Sequence, residues 1–182
     1  MRVLKNILSQ LHVYIVWLIL SAVLWGFVFN ILTDAPAERK LVLFADVERC
    51  SDKAMSAVLE AERPEGLRFV QVHSFGYAMF DETNLLNADL YIVRAEDAEG
   101  YRDSFRPLEL SKLDAEGLTL FELDGQPFGV RVWDGRQGCA ASYLGYGEGE
   151  YYLFVGVNSL HAGEKDDAAY WLIGEIIQMK NE

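Results

Sequence analysis

The sequence contains few cysteines, few histidines and comparatively few basic residues. Its only cysteines, Cys50 and Cys139, lie too far apart to form a Cys-x-x-Cys redox motif. Its three histidines, His12, His73 and His161, lack the spacing of a zinc site. Sixteen Lys and Arg residues stand against 28 Asp and Glu residues, an excess of acid that repels nucleic-acid phosphates. We therefore expect no metal, no cofactor and no nucleic-acid partner.

Most of the acidic excess follows the first forty residues. Residues 1–40 hold four of the 16 basic and two of the 28 acidic side chains, which leaves 12 basic and 26 acidic side chains for residues 41–182. The net charge of that part of the chain is −14. Charge of this kind is typical of a solvated surface.

One long apolar run stands near the amino terminus. The residues VYIVWLILSAVLWGFVFNIL, Val13 to Leu32, carry no charge, and about 20 helical residues can span a bilayer. Arg2 and Lys5 precede the run, so the positive-inside bias predicts a cytoplasmic amino terminus. Ala35-Pro36-Ala37 resembles a signal-peptidase site, which leaves cleavage near Ala37 open, although the length of the run favours an uncleaved anchor.

These observations predict the organisation of the whole chain. Residues 1–12 would be cytoplasmic, residues 13–32 a transmembrane signal anchor and residues 33–40 a linker. Residues 41–182 would form one extracytoplasmic domain of a single-pass protein of the cell membrane. In that compartment Cys50 and Cys139 would oxidise to a disulfide if they meet. Two buried thiols that never meet are the equal alternative, since the sequence does not place their Cβ atoms.

The first half of the domain alternates between strand and helix patterns. LVLFAD, Leu41 to Asp46, is an almost continuous apolar run that predicts a strand covered on both faces. Ser51 is a suitable N-cap for an amphipathic helix, and LRFVQVH from Leu67 alternates as a second strand. Residues 77–86 form a weaker helix candidate, and ADLYIVRA from Ala88 predicts a third strand before a short acidic helix. The βαβ order predicts an α/β fold with a mostly parallel sheet.

The second half of the domain contains a hairpin signal and a final helix. LTLFEL and PFGVRVW flank Asp124-Gly125, a dipeptide typical of a tight hairpin turn. A glycine-rich stretch, Asp134 to Glu150, then leads to the strand pattern YYLFVGV. Apolar residues at helical spacing predict a closing helix. They are Ala169, Leu172, Ile173, Ile176 and Ile177.

Three stretches resemble the extracytoplasmic solute-binding proteins of ABC importers. ADLYIV with the acidic helix and FRPL resembles one buried strand of that family and the segment after it. DGQPFGVRV resembles the strand that leaves the first lobe through the hinge. YYLFVGVNS and DDAAYWLIGEII resemble the returning strand and the helix that completes the lobe. The resemblance implies an α/β lobe over most of residues 41–180.

The sequence departs from that family where a second lobe would be inserted. The interval from Asp134 to Glu150 is too short to build another core, so the chain resembles a single lobe. A single lobe cannot close around a solute as two hinged lobes do. We therefore expect a non-catalytic module that binds a small solute, a membrane protein or another protein partner. Dimerisation through an exposed apolar patch where lobe two would sit is a further expectation.

A hydrolase is the alternative function. VNSLHAGEKDDAA, Val157 to Ala169, brings Ser159, His161, Asp166 and Asp167 close together in the sequence. The stretch lacks the Gly-x-Ser-x-Gly elbow that exposes a nucleophilic serine. Its residues equally suit a strand end followed by a helix, with Asp166 or Asp167 as the helix cap.

Ligands of open α/β sheets bind beyond the carboxyl ends of the strands, where aromatic and carboxylate groups would suit a sugar or an organic cation. Packing of the aromatic rings into the core is the competing interpretation. The candidate binding residues at these ends are Asp46, Glu48, Ser51, Ser74, Phe75, Tyr77, Arg94, Glu96 and Trp133.

Overall fold

A computed structural model describes residues 2–33, 36–75, 86–114, 116–163 and 166–179. The chain divides into two compact units, Met1–Pro36 and Ala37–Glu182. The first unit contains helix α1, Arg2–Thr33.

The second unit contains three α-helices, nine strands and three 3₁₀ turns among its described residues. The helices are α2 (Asp52–Ala61), α3 (Ala95–Ala98) and α4 (Ala168–Gln178). The strands are β1 (Lys40–Ala45), β2 (Arg49–Cys50), β3 (Phe69–Ser74), β4 (Leu90–Arg94), β5 (Phe105–Arg106), β6 (Leu120–Leu123), β7 (Gln126–Trp133), β8 (Leu144–Gly145) and β9 (Tyr151–Gly156). The 3₁₀ turns are Ala37–Arg39, Glu99–Ser104 and Leu110–Lys112.

The amino-terminal segment contradicts the predicted membrane anchor. Within the part of the chain that the structure describes, no helix combines the length and the apolar character needed to cross a bilayer. The predicted transmembrane signal anchor over residues 13–32, and with it the predicted single-pass membrane localisation, is therefore wrong.

The predicted α/β class is confirmed, but the mostly parallel sheet is wrong. The main sheet has the order β3-β1-β4-β9-β7-β6, and β5 pairs with the last residues of β9. Among the strands of the described residues, only β1 pairs in parallel fashion, with β3 and with β4. The pairs β4 with β9, β7 with β9 and β6 with β7 are antiparallel, so the sheet is mixed.

The reversed direction of β9 has a simple cause. Parallel neighbours need a crossover that carries the chain back to the other edge of the sheet. No helix lies within residues 134–150, all of which are described, and β8 in that segment pairs with β2 at the edge where β7 ends. The chain therefore enters β9 from the edge at which it left β7, and the two strands run antiparallel.

The hairpin signal is confirmed in detail. Strands β6 and β7 pair with Leu123 opposite Gln126, and Asp124 and Gly125 form the turn between them. Both turn residues have positive φ, 52° and 76°, as a type I′ turn requires. Aspartate and glycine tolerate this conformation better than most residues, which is why the dipeptide was informative.

Strand β1 shows how the sheet is buried on both faces, as the sequence predicts. Leu41, Leu43 and Ala45 belong to a core cluster that includes buried residues of α2 and α4. Val42 and Phe44 point to the opposite face, where their cluster includes Phe105 and Phe154. Helices α2 and α4 thus cover one face, while Ala98 of α3 packs on the other face, to which β5 contributes Phe105.

The predicted helices fit with small differences. Helix α2 begins after Ser51, whose carbonyl accepts a bond from the Met55 N–H, although the Ser51 side chain makes no cap. The acidic helix after β4 is a short α-helix that continues as a 3₁₀ turn. Before α4, the Asp166 carboxylate accepts a bond from the Ala168 N–H at 3.0 Å. The helix predicted over residues 77–86 lies outside the described residues except for its last position.

Candidate functional site

The carboxyl ends of β1, β3 and β4 lie at one edge of the sheet, here called the carboxyl edge. Asp46 follows β1 there, half-buried, and Glu48 is exposed two residues later. Burial and the charge of Asp97 raise the pKa of Asp46, while Arg94 opposes that shift. Arg94 forms an ion pair with Glu96 at 2.6 Å. The structure thus brings Asp46, Arg94 and Glu96 together, as the edge rule predicts.

The remaining carboxyl-edge candidates serve packing or backbone bonds. Ser74 ends β3 opposite Ala45, and the Ser51 N–H donates to the carbonyl of Tyr143. The ring of Phe75 lies 6.3 Å from that of Phe44, where it packs against the core. Tyr77 lies outside the described residues.

Trp133 is stacked rather than open to a ligand. Its ring lies 4.9 Å from that of Tyr146 at an interplanar angle of 14°, and Tyr146 in turn contacts Tyr151 at 5.1 Å. The Tyr146 hydroxyl donates to the Cys139 carbonyl at 2.9 Å. Burial raises the pKa of Tyr146 far above its usual value. Core packing is therefore the interpretation that the contacts of Trp133 support.

The segment of residues 134–150, here called the covering loop, folds over the carboxyl edge. It pairs through β8 with β2, and its Glu150 carbonyl accepts a bond from the Ala95 N–H at 2.9 Å. The Gly147 N–H donates to the Tyr151 hydroxyl at 3.1 Å. No large apolar side chain of this fully described loop is exposed. The apolar patch expected at the position of a second lobe is therefore not formed by the loop, and dimerisation stays a prediction.

Cys50 and Cys139 carry thiols in this structure and form no disulfide. Both pack against the helix-side core cluster, and the Cys139 thiol donates to the Ile177 carbonyl at 3.4 Å. Burial, followed by the charge of Asp52, raises the pKa of Cys50 to about 11. A thiol with so high a pKa is a weak nucleophile at neutral pH.

Ser159 and His161 are engaged in separate hydrogen bonds. The Ser159 hydroxyl donates to the Asp89 carboxylate at 2.7 Å and accepts the His161 backbone N–H at 3.2 Å. The His161 ring is only 1% exposed, and its Nδ1 lies 2.7 Å from Asp166. Its Nε2 lies 3.2 Å from the carbonyl oxygens of both Ala37 and Lys40. A nucleophilic serine needs a base within hydrogen-bond reach, and these contacts give the His161 ring other partners.

Asp89 is the buried carboxylate of this network. One of its oxygens accepts the Ser159 hydroxyl and the other accepts the Val42 N–H at 2.9 Å. Burial raises the pKa of Asp89, although these hydrogen bonds and the charge of His161 counteract the shift. The network joins the starts of β1 and β4 to the chain that follows β9.

A cavity of about 540 Å³ opens where β1 and β3 begin, at the edge opposite the covering loop. We call it the amino-edge cavity. It combines four apolar side chains, four carboxylates and one guanidinium. Its lining residues are Glu38, Arg39, Pro64, Glu65, Gly66, Leu67, Asp166, Asp167, Ala168 and Trp171.

Two of the four carboxylates already have cationic partners. Asp166 bonds to His161, and Asp167 pairs with Lys112 at 2.8 Å. Lys112 also reaches Glu109 at 3.1 Å and the Gly163 carbonyl at 2.8 Å. The hydrogen bond to Asp167 raises the pKa of Lys112. Desolvation opposes this shift, and the hydrogen bond to Glu109 adds to it. His161 and Lys112 therefore offset part of the negative charge of the cavity wall.

The side chains that line the cavity are charged, aromatic or aliphatic. Across the residues that the structure describes, no group of three or more His, Cys, Asp or Glu side chains is arranged to hold a metal ion. Its carboxylates and its aromatic residue suit electrostatic and stacking contacts.

The sequence did not indicate this cavity as a site. Glu38 and Glu65 were part of the general acidity, Asp166 was a cap candidate and Trp171 belonged to an amphipathic helix. One signal was available for the adjacent network. Asp89 stands at the start of an otherwise apolar strand, and a buried carboxylate there requires partners.

Comparison with known proteins adds no relative to this account. No protein-family model, no curated protein and no solved structure matches the chain.

Proposed function

We propose that residues 37–182 form a non-catalytic binding module that holds a small organic cation in the amino-edge cavity. The observation that carries the proposal is the meeting of Trp171 with four carboxylates around a space of about 540 Å³. Pockets for small organic ligands have volumes of roughly 300–1,000 Å³. The space is therefore large enough for a solute rather than a single ion.

The charges around the cavity determine whether the proposed ligand is a cation or an anion. Glu38, Glu65, Asp166 and Asp167 face one lining cation, Arg39. Lys112 and His161 lie behind two of these acids and offset part of their charge. An ammonium group would gain from the remaining negative charge, whereas an anionic solute would be repelled.

The apolar lining determines the proposed shape of the ligand. Trp171 is half-buried, so part of its indole face is available at the wall. Pro64 and Leu67 add apolar surface beside it. A cation that carries a methylene chain would place its ammonium near the acids and its chain against these groups. Aliphatic polyamines have this chemistry, and a cation near an indole face gains additional attraction.

We also propose that the module is related to one lobe of the solute-binding proteins of ABC importers. In that family a second lobe is inserted between the hinge strand and the returning strand. Here β7 and β9 correspond to those strands, are direct neighbours and are joined only by the covering loop. This arrangement supports the proposal that the module is a single lobe, without the second lobe of that family. Binding would then occur without closure of two lobes.

The non-catalytic part of the proposal is supported by the contacts of Ser159 and His161. Among the described residues, the hydroxyl of Ser159 is directed to Asp89 and the ring of His161 to Asp166 and two carbonyl groups. The contact between His161 and Asp166 would suit a triad, but no hydrogen bond of these described residues joins the Ser159 hydroxyl to the His161 ring.

Isothermal titration calorimetry of the full chain with spermidine tests the proposed ligand class. Glucose and glutamate serve as neutral and anionic comparisons. We expect saturable binding of spermidine alone. A Trp171→Leu variant keeps an apolar side chain at the wall but removes the aromatic face, and we expect it to weaken spermidine binding about tenfold.

A matched pair of charge variants locates the site. Glu65→Gln removes one carboxylate from the cavity and should weaken spermidine binding about threefold. Glu122→Gln makes the same change on exposed β6, away from the cavity, and should leave the affinity unchanged. Absence of binding by all three probes, or equal weakening by the two variants, would refute the proposed site.

A further inference from the structure

His161 occupies an unusual position between the cavity wall and the interior. Its ring is almost completely buried, yet each ring nitrogen faces an acceptor. Nδ1 faces the Asp166 carboxylate at 2.7 Å, and Nε2 faces the carbonyl oxygens of Ala37 and Lys40 at 3.2 Å. Carbonyl and carboxylate oxygens only accept hydrogen bonds, so this geometry is satisfied when both nitrogens carry a proton.

The three partners of the His161 ring belong to two separate segments, residues 37–40 and the chain before α4. Ala37 starts the 3₁₀ turn that carries Glu38 and Arg39 into the cavity wall, and Lys40 starts β1. Asp166 lies on the opposite side, where it also caps the Ala168 N–H. The charged ring therefore connects the turn of residues 37–39 to the start of α4.

We propose that His161 is a proton-dependent latch on the wall of the amino-edge cavity. With both nitrogens protonated, the ring holds the backbone of residues 37–40 and the carboxylate of Asp166 at the same time. This inference is independent of the ligand proposed above, because it rests on contacts within the protein.

A neutral His161 ring would keep its bond to Asp166 and lose its bonds to the carbonyl groups of Ala37 and Lys40. A proton on Nδ1 keeps the strong bond to a charged carboxylate, so Nε2 is the nitrogen that loses its proton. The Nε2 lone pair then faces two carbonyl oxygens and repels them. Deprotonation should therefore free residues 37–40 from the ring while Asp166 stays bound.

The electrostatic surroundings favour the charged form. Burial lowers the pKa of His161, but the bond to Asp166, the charge of Asp89 and the Ala37 carbonyl outweigh it, and the net pKa lies above the ordinary 6.5. Asp89 and Asp166 are the two titratable groups that act on the ring, one from the start of β4 and the other from the chain before α4. A proton held more tightly in the folded chain stabilises the fold fully below pH 6.5. That contribution is lost as the pH rises through the pKa of the folded state.

Nuclear magnetic resonance of the full wild-type chain tests the latch without any change of sequence. A pH titration of the His161 ring gives the midpoint, and amide exchange over the same range gives protection factors for three reporters. The Arg68 N–H donates to the Arg39 carbonyl, so it reports on the released turn. The Ala168 N–H donates to Asp166, and the Met55 N–H donates to Ser51 at the carboxyl edge.

We expect a midpoint above 6.5 and a roughly tenfold loss of protection at Arg68 that follows the titration. Protection at Ala168 and Met55 should remain constant. Asp166→Asn should lower the His161 midpoint, since it replaces the charged acceptor. A midpoint at or below 6.5, or an Arg68 protection factor that does not change through the midpoint, would overturn the latch. Equal loss at all three reporters would also overturn it, because that result indicates general unfolding.

Discussion

The two edges of the sheet differ in what occupies them. At the carboxyl edge, the covering loop and a stack of Trp133, Tyr146 and Tyr151 fill the region beyond the strand ends. At the amino edge, charged residues surround a cavity. The usual location of ligands in open α/β sheets is the carboxyl edge. Here the covering loop and the aromatic stack occupy that edge, and the cavity lies at the other edge.

The comparison shows that a topological rule depends on the loops. Strand ends create a crevice only when the connecting segments leave it open. Residues 134–150 contain tyrosines and glycines that allow close approach, and they bond back to β2, Ala95 and Tyr151. Trp133, one of the aromatic residues that suggested a ligand site at this edge, stacks on Tyr146.

The largest effect should come from Gly138→Ala in the covering loop. A Cβ atom at this position would lie 2.0 Å from the backbone oxygen of Val132, which already accepts the Cys139 N–H. Backbone must move to relieve that overlap, so we expect unfolding in urea to show a loss of about 3 kcal/mol.

Gly163→Ala provides the control for that substitution. Apart from its two chain neighbours, no heavy atom of the described residues lies within 4 Å of the Cβ position at Gly163, and its φ is not in the left-handed region. We expect its stability to stay close to that of the wild type. Equal stability of the Gly138→Ala variant would show that the covering loop is loosely attached, and the contrast between the edges would disappear.

A smaller effect should follow from Tyr146→Leu. The change removes the stacking contacts with Trp133 and Tyr151 and the hydrogen bond to the Cys139 carbonyl. We expect a loss of about 2 kcal/mol in the free energy of unfolding. Tyr146→Phe keeps the rings stacked and should lose only about 1 kcal/mol.

The spermidine affinity of the Tyr146→Phe variant tests at which edge of the sheet the ligand binds. Because the ligand is proposed to bind at the opposite edge, Tyr146→Phe should leave the calorimetric affinity unchanged. An affinity that falls with this variant would move the binding site to the carboxyl edge, where the sequence first placed it.

The smallest effect concerns the charge balance of the amino-edge cavity. Lys112 neutralises Asp167 at 2.8 Å and so competes with any cationic ligand. Lys112→Gln should strengthen spermidine binding about fivefold. Calorimetry measures the change directly.

Arg102→Gln is the matched control for the loss of a cation. Arg102 pairs with Asp124 at the hairpin turn, and neither residue lines the cavity. Its affinity for spermidine should equal that of the wild type. Weaker binding by Lys112→Gln would mean that Lys112 holds the cavity in shape rather than competing for its carboxylate.

Local chemistry allowed much of the fold to be predicted. The continuous apolar run of β1 predicted burial on both faces, and Asp124-Gly125 predicted the hairpin, because each depends on neighbouring residues alone. Helices α2 and α4 followed from apolar spacing. The structure contradicts two predictions about this architecture, the membrane span and the mostly parallel sheet.

The candidate site could be predicted only in part. Asp46, Arg94 and Glu96 meet at the carboxyl edge as expected, since consecutive parallel strands end together. Whether that edge is open depends on how the covering loop folds, and no local pattern in Asp134 to Glu150 determines this.

The sequence by itself determined an acidic chain, its alternation of strands and helices, one tight turn and the burial of its central strands. These properties arise from side chains close to one another along the chain. Only the tertiary structure decided the direction of β9, the filling of one sheet edge and the cavity at the other. Glu38, Glu65 and Asp166 lie far apart in sequence and share a wall only because the ends of several elements meet there. The hydrogen-bond partners of His161 could not be predicted from the sequence for the same reason, since hydrogen bonds between distant segments depend on the packing of the whole domain.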